Sequence, residues 1–278
     1  MPIPPAILTL LLGMALVLTG LWVGQNINLL PVDASSNAPV YDELFKVLFS
    51  IGTILFIGIV GLIVYSLVRF RRRPADTGDG LAIEGNLPLE ILWTAIPAVV
   101  VLFVGIYSYD IYERMGGMTP LNDHSMHAMH SEATDSRTWA GISPAISTDT
   151  GAAAALPVEV TAMQFAFIFH YPDAGITSGE LHVPLGQPVS LLMRANDVIH
   201  AFWVPQFRLK QDVIPGQPTL LSFTPTRAGR YPIVCAELCG PYHGGMRSTV
   251  IVEEPETFAA WVAQNSPAPA NPTPVAVT

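Results

Sequence analysis

The chain has 278 residues, of which 50% are apolar and 13% charged, with a mean hydropathy of +0.43 and a formal net charge of −9. A soluble domain usually carries about a quarter charged residues, so an ordinary soluble protein is excluded. The part from Glu113 onward holds eight basic and fourteen acidic residues, a balance that favours solubility or cationic partners and excludes nucleic acid.

Three apolar segments come first. Ile3 to Leu30 is a long uncharged run without a basic n-region. It reads either as a cleaved signal sequence or as an additional span, and its length favours the span. Ser50–Val68 is uncharged and long enough to cross a hydrocarbon core of about 30 Å. Leu87–Tyr109 is broken only by Glu90, with Trp93, Tyr107 and Tyr109 near its ends, where amphipathic rings favour the membrane–water boundary. Between these two, Arg69, Arg71, Arg72 and Arg73 place the connecting loop on the cytoplasmic side. The second and third segments therefore form a transmembrane helical hairpin, and everything after Tyr109 lies on the opposite side, outside the cytoplasm.

Residues 115–155 are rich in Met, His, Ser, Thr, Gly and Ala without a steady period, which predicts a linker. Within it His124, Met126, His127, Met129 and His130 alternate in a way that could capture copper, although a polar low-complexity loop is the blander reading. From Leu156 the pattern becomes short runs with period near two: Val158–Phe169, Val189–Ala195, Thr219–Thr224, Tyr231–Cys235 and Ser248–Glu253. Pro/Gly turns separate them, as in a small all-β sandwich or barrel. A short helix is expected at Glu256–Gln264, followed by a Pro/Ala-rich tail. The expected organisation is an N-terminal apolar segment (1–30), a hairpin (42–110), a linker (111–155), an all-β domain (156–255), and a helix with tail (256–278).

The two cysteines are too few for a disulfide framework. They sit in Cys235-Ala-Glu-Leu-Cys239-Gly-Pro-Tyr-His243-Gly-Gly-Met246, which presents two thiols, an imidazole and a thioether at short spacing. Soft sulfur with imidazole selects copper or zinc. His200 offers a second imidazole and is expected on a different loop. Structural zinc favours CxxC pairs and rarely uses Met. A mononuclear copper site of the Cys-His-His-Met kind leaves one Cys surplus. Two thiolates bridging two coppers use every group, with Met246 and the Glu237 carbonyl as weak axial ligands. The competing readings are a small-loop disulfide, a core histidine at His200 and core packing at Met246; each leaves the rest of the cluster unexplained.

The motifs Asp197-Val-Ile-His-Ala-Phe-Trp-Val-Pro205, Leu209-Lys-Gln-Asp-Val-Ile-Pro-Gly216 and Cys235–Met246, together with Leu89-Glu-Ile-Leu-Trp-Thr-Ala-Ile-Pro-Ala98, resemble subunit II of the haem–copper cytochrome c oxidases, in cyanobacterial wording, over about residues 40–255. The resemblance implies a cupredoxin-like dicopper (CuA) domain on the periplasmic or lumenal side, docked on the haem-bearing subunit I alongside subunit III. It implies that His200, Cys235, Glu237 (carbonyl), Cys239, His243 and Met246 hold two copper ions, and that the Glu237 carboxylate binds magnesium at the subunit I interface. It implies an electron route from a soluble donor, a cytochrome c or small copper protein, to haem and oxygen with proton translocation. Glu90 matches a carboxylate at a proton path; the plain alternative is a helix-start residue.

Many members carry Trp-x-Trp after a Gln, where the first Trp is implicated in electron uptake. This chain has Gln164-Phe165-Ala166-Phe167. Phe165 is thus the candidate contact for the donor, flanked by Asp197, Asp173 and Asp212, and His170 replaces a docking carboxylate. Two rival classes remain. A copper carrier would need an open, exchangeable site; a nitrous oxide reductase domain would lack the hairpin.

Overall fold

A computed structural model of the chain describes residues 4–72, 78, 84–115, 139–140 and 155–267. The His/Met cluster at 124–130 falls outside them. The chain divides into two compact units, Met1–Leu30 with Asp42–Ile111, and Pro31–Tyr41 with Tyr112–Thr278.

The first unit is built from helices α1 (Pro5–Asn26), α2 (Ala38–Arg69) and α3 (Leu87–Arg114), each long and apolar enough to cross a membrane. The 22 residues of α1 span about 33 Å at 1.5 Å per residue. All three helices expose large apolar side chains on every side; Phe56 and Leu62 are both 68% exposed. A helix apolar all round is stable only inside lipid or a larger apolar interior.

α1 packs on α2 in antiparallel register. Gly20 meets the Ile54 side chain, Gly24 meets Ser50, and Leu16 lies against Gly58. A Cβ on Gly20 or Gly24 would collide with α2, so Gly20-x-x-x-Gly24 is the small face that permits close helix approach in lipid. α3 opens with Asn86, whose Oδ1 accepts the Leu89 N–H at 3.2 Å, while Glu90 Oε1 accepts the Asn86 N–H at 3.1 Å. This pair of bonds satisfies two donors that a helix start otherwise leaves free.

The second unit is a two-sheet sandwich. One sheet has the order β1 (Trp139–Ala140), β9 (Thr219–Phe223), β6 (Val189–Ala195), β2 (Leu156–Met163), β3 (Ala166–Tyr171), β4 (Ile176–Ser178). The other runs β5 (Leu181–Pro184), β11 (Arg247–Glu253), β10 (Gly229–Cys235), β7 (His200–Val204), β8 (Leu209–Val213). Alternate residues point inward, as in Val158, Val160 and Ala162 of β2 and Phe167, Phe169 and Tyr171 of β3. Across the core, Phe167 meets Phe202 edge to face at 5.9 Å. Helix α4 (Pro255–Asn265) closes one end, with Trp261 stacked on His182 at 4.1 Å.

Two expectations are corrected. Val158–Phe169 is not one run: Gln164 and Phe165 form the turn of a β2–β3 hairpin with Met163 paired to Ala166. The backbone N–H of Gln164 bonds Asp197 Oδ2 at 2.7 Å and so leaves the strand ladder. His200 is not in a loop; it opens β7, paired with Val213 of β8. Strand β7 is buried at four of five positions, so it lacks the alternation that identifies a strand.

The segment Pro31–Tyr41 was not anticipated as part of the sandwich. Its Ala34 N–H donates to Gln206 O and Ala34 O accepts from Thr226 N–H, both at 3.0 Å. Ser35 Oγ donates to Phe207 O at 2.8 Å, and Ala34 and Ser35 are fully buried. The strap is thus a built-in part of the second unit.

Candidate metal centre

The candidate ligands come from three places in one sheet and its end loops. His200 starts β7, Cys235 ends β10 beside Phe202 of β7, and Cys239, His243 and Met246 lie on the loop leading into β11. The loop is pinned by backbone bonds: Cys235 N–H to Met246 O, Ala236 N–H to Ala201 O, His243 N–H to Gly240 O and Met246 N–H to His243 O, all 3.1 Å.

His200 is fully buried. Its Nε2 donates to Asp197 Oδ1 at 2.8 Å, which fixes the tautomer and leaves the Nδ1 lone pair facing Cys235 Sγ at 3.9 Å. Desolvation raises the pKa of Asp197. Hydrogen bonds from His200 and from the Gln164 and Val198 N–H groups outweigh it, so the net shift is downward and the carboxylate stays ionised.

From Cys235 Sγ the chain of donor atoms continues to Cys239 Sγ at 3.9 Å and on to His243 Nδ1 at 3.6 Å. Met246 Sδ lies 3.7 Å from Cys239 Sγ, and the Glu237 carbonyl 3.3 Å from Cys235 Sγ. A disulfide would bring the sulfurs to about 2.05 Å; both cysteines are free. Atoms bound about 2.0–2.3 Å from one metal in tetrahedral array stand about 3.3–3.8 Å apart, close to the spacings of 3.6–3.9 Å between these side-chain donors. The Cys239 thiol is pushed up to about 11, first by burial and then by the neighbouring Cys235. A soft cation would bind these sulfurs as thiolates and release the Cys239 proton.

Gly240 is required here. Its φ is +135°, and a Cβ would stand 2.8 Å from Gln164 Nε2 and 3.3 Å from the Phe165 ring. Gln164 Nε2 in turn donates to Cys239 O at 2.5 Å. The β2–β3 turn is thereby braced on both the His200 and the Cys239 halves of the cluster.

The remaining sequence candidates fall differently. Of the three acids expected around Phe165, only Asp197 is bonded to its neighbour Gln164. Asp212 is paired with Lys210 at 3.1 Å. His170 lies near the far end of β3, about 17 Å along the strand from Phe165, and Asp173 is in the turn beyond it. Sequence reasoning offered Asp197 only as an acid flanking the donor contact; its bond to His200 is shown by the fold. It also missed Tyr242, which is 71% exposed and packs edge to face on Phe165 at 5.4 Å.

A family model described as cytochrome c oxidase subunit II, transmembrane domain, matches residues 20–111, and one described as its periplasmic domain matches residues 176–254. The cytochrome c oxidase subunit 2 of Thermostichus vulcanus is 50% identical, over 95% of this chain and 86% of that one. The chain belongs to the cytochrome c oxidase subunit II family. The subunit 2 of Synechocystis sp. is 46% identical, over 97% of this chain and 85% of that one. The crystal structure of the periplasmic domain of subunit II from Bradyrhizobium japonicum is 29% identical, over 41% of this chain and 94% of that one, with a TM-score of 0.39.

The chain is thus a subunit of a haem–copper oxidase complex, a membrane protein whose copper-binding, cupredoxin-like domain lies outside. The donor set fits copper: His200, Cys235 and Cys239 converge within 4.8 Å in a buried position, and the soft thiolate and imidazole ligands are those copper favours.

Proposed function

We propose that this subunit takes up electrons from a soluble donor at a CuA centre of two copper ions and passes them to haem in subunit I. There they reduce oxygen to water, coupled to proton translocation. The observation that carries this reading is the linear run of donors: one imidazole, two sulfurs, one imidazole, with a thioether and a carbonyl at the flanks. Two thiolates in the middle and one imidazole at each end supply two metal positions, whereas one metal leaves donors unused.

When bound, the copper pair supplies a one-electron relay. The chain's residues do the rest. His200 and His243 terminate the run, and Asp197 holds His200 in the ligating tautomer. The Glu237 carbonyl and Met246, beside the two sulfurs, would be the weak ligands that tune the potential of bound copper. Burial of Cys235, Cys239 and Met246 excludes water and keeps the site closed, which argues against a carrier that exchanges its metal. The functional unit is the 156–255 domain, carried by the 42–110 hairpin, with 111–155 as linker. Subunits I and III are its partners in the membrane, the Glu237 carboxylate takes magnesium at the subunit I face, and Glu90, half-buried at the cytoplasmic start of α3, feeds protons.

The test is substitution in the intact oxidase. Cys235→Ser and Cys239→Ser should each abolish the mixed-valence copper signal, because a hydroxyl is a poor soft-metal bridge. Met246→Leu should keep copper and shift its potential and spectrum. Retention of the signal in either Ser variant would overturn the bridging role, and loss of copper in Met246→Leu would overturn the axial one.

A further inference from the structure

Resting on the electron-uptake reading above, we propose that Tyr242, rather than Phe165, is the side chain that the reduced donor touches. The position of Phe165 favours it from the sequence, but its ring is not the outer surface. One edge of the ring lies over Gly240, with Cε1 and Cζ 3.3 Å from where a Cβ there would sit. The ring is also met by Tyr242 edge to face, at 5.4 Å and 78°. Phe165 is left half-buried and Tyr242 is 71% exposed.

An exposed aromatic on a floppy loop would be unremarkable. This loop is fixed. Gly240 holds a backbone angle open to glycine, Pro241 fixes the next φ, and Gln164 holds the Cys239 carbonyl. The Gly245 N–H donates to Tyr242 O at 2.9 Å, closing the turn that begins at His243. A large ring held in one place makes a contact at little entropic cost. Tyr242 is also joined by one peptide bond to His243, the half-buried imidazole that ends the donor run, so a contact there is close to the metal site through the chain itself.

The local charges favour one class of partner. Asp197 contributes a carboxylate tied to Gln164, next to Phe165. Arg247 contributes a guanidinium folded back on the Gly244 carbonyl at 3.3 Å. The segments that carry the site thus bear charges of both signs, Asp197 and Glu237 against Arg247. The fitting partner is a small soluble one-electron carrier whose prosthetic group opens within an apolar collar. In each encounter one electron leaves the carrier, which is oxidised by one unit, and the copper centre is reduced by one. The Tyr242 ring sets the distance and orientation of the carrier.

The test compares Tyr242→Ala, Tyr242→Phe and wild type in the intact oxidase. All three should show the same copper content and the same mixed-valence signal. The second-order rate of carrier oxidation should fall about tenfold or more in Tyr242→Ala and stay within about twofold in Tyr242→Phe. Electron transfer onward to haem, started by flash reduction of copper with a small photoreductant, should be equal in all three. An unchanged carrier rate in Tyr242→Ala would overturn the proposal, as would a loss in Tyr242→Phe equal to that in Tyr242→Ala. Absence of the copper signal from wild type would instead overturn the reading of the site, and with it the proposal that rests on it.

Discussion

The two units of this chain solve opposite problems with the same apolar residues. In α1–α3 the large side chains point outward on all sides, and α1 meets α2 where Cβ atoms are missing, at Gly20 and Gly24. In the sandwich the large side chains point inward, and specificity lies in strand register and in buried polar groups such as His200 and Ser35. The comparison teaches that hydrophobicity places the membrane unit while packing detail builds the metal site. Substitutions of one kind should therefore have unequal effects in the two units.

The largest expected difference is at aromatic positions. Phe167 is 2% exposed and meets Phe202 in the core, so Phe167→Ala should cost about 3–5 kcal/mol. Phe103 on α3 is 54% exposed, and Phe103→Ala should change stability by less than about 1 kcal/mol. Chemical unfolding of the purified chain, followed separately by far-ultraviolet dichroism and by the copper absorption, measures both. Equal losses would break the comparison.

Next comes the strap. Ser35→Ala removes the donor to the Phe207 carbonyl and leaves that buried acceptor without its side-chain partner, at about 1–3 kcal/mol. The loss should appear in the unfolding of the copper domain. No loss would show that the strap merely lies on the sandwich.

A smaller effect is expected between helices. Gly24→Leu should part α1 from α2 at a cost of about 1–2 kcal/mol. Disulfide formation between Leu16→Cys and Gly58→Cys, which replace residues now in contact, should then slow in membranes. Cross-linking at the parent rate would show that Gly24 does not set the approach of α1 to α2.

The smallest effect is alkaline. Burial raises the Tyr171 phenol well above its usual range, against a backbone hydrogen bond with His182 that lowers it. The folded domain keeps this proton where the unfolded chain loses it, above about pH 10. Stability from Tyr171 is therefore present below about pH 10 and falls as pH rises beyond it. Tyr171→Phe should flatten that decline, read from the unfolding midpoint across pH 9–11 (about one unit either side of the free phenol).

The same contrast explains what could be read in advance. The helices follow from uncharged length alone, and Arg69, Arg71 and Arg72 orient them. Within the sandwich, Val189–Ala195 was legible because it alternates, whereas His200–Val204 was not, because burial on both faces erases the period. The ligands were legible because Cys, His and Met have few reasons to cluster. Their supports were not. Asp197, Gln164 and the strap are polar groups of ordinary kinds, and only the fold shows that one carboxylate holds a histidine and one amide bridges two loops. Tyr242 was hidden because exposure, not identity, distinguishes it.

The central claim is that the run His200–Cys235–Cys239–His243 holds two coppers as one electron-accepting unit. Metal quantitation with electron paramagnetic resonance of the purified wild-type chain tests it most directly. The account predicts two coppers per chain and one unpaired electron shared equally between them. A single copper per chain, or a spectrum localised on one copper, would contradict it.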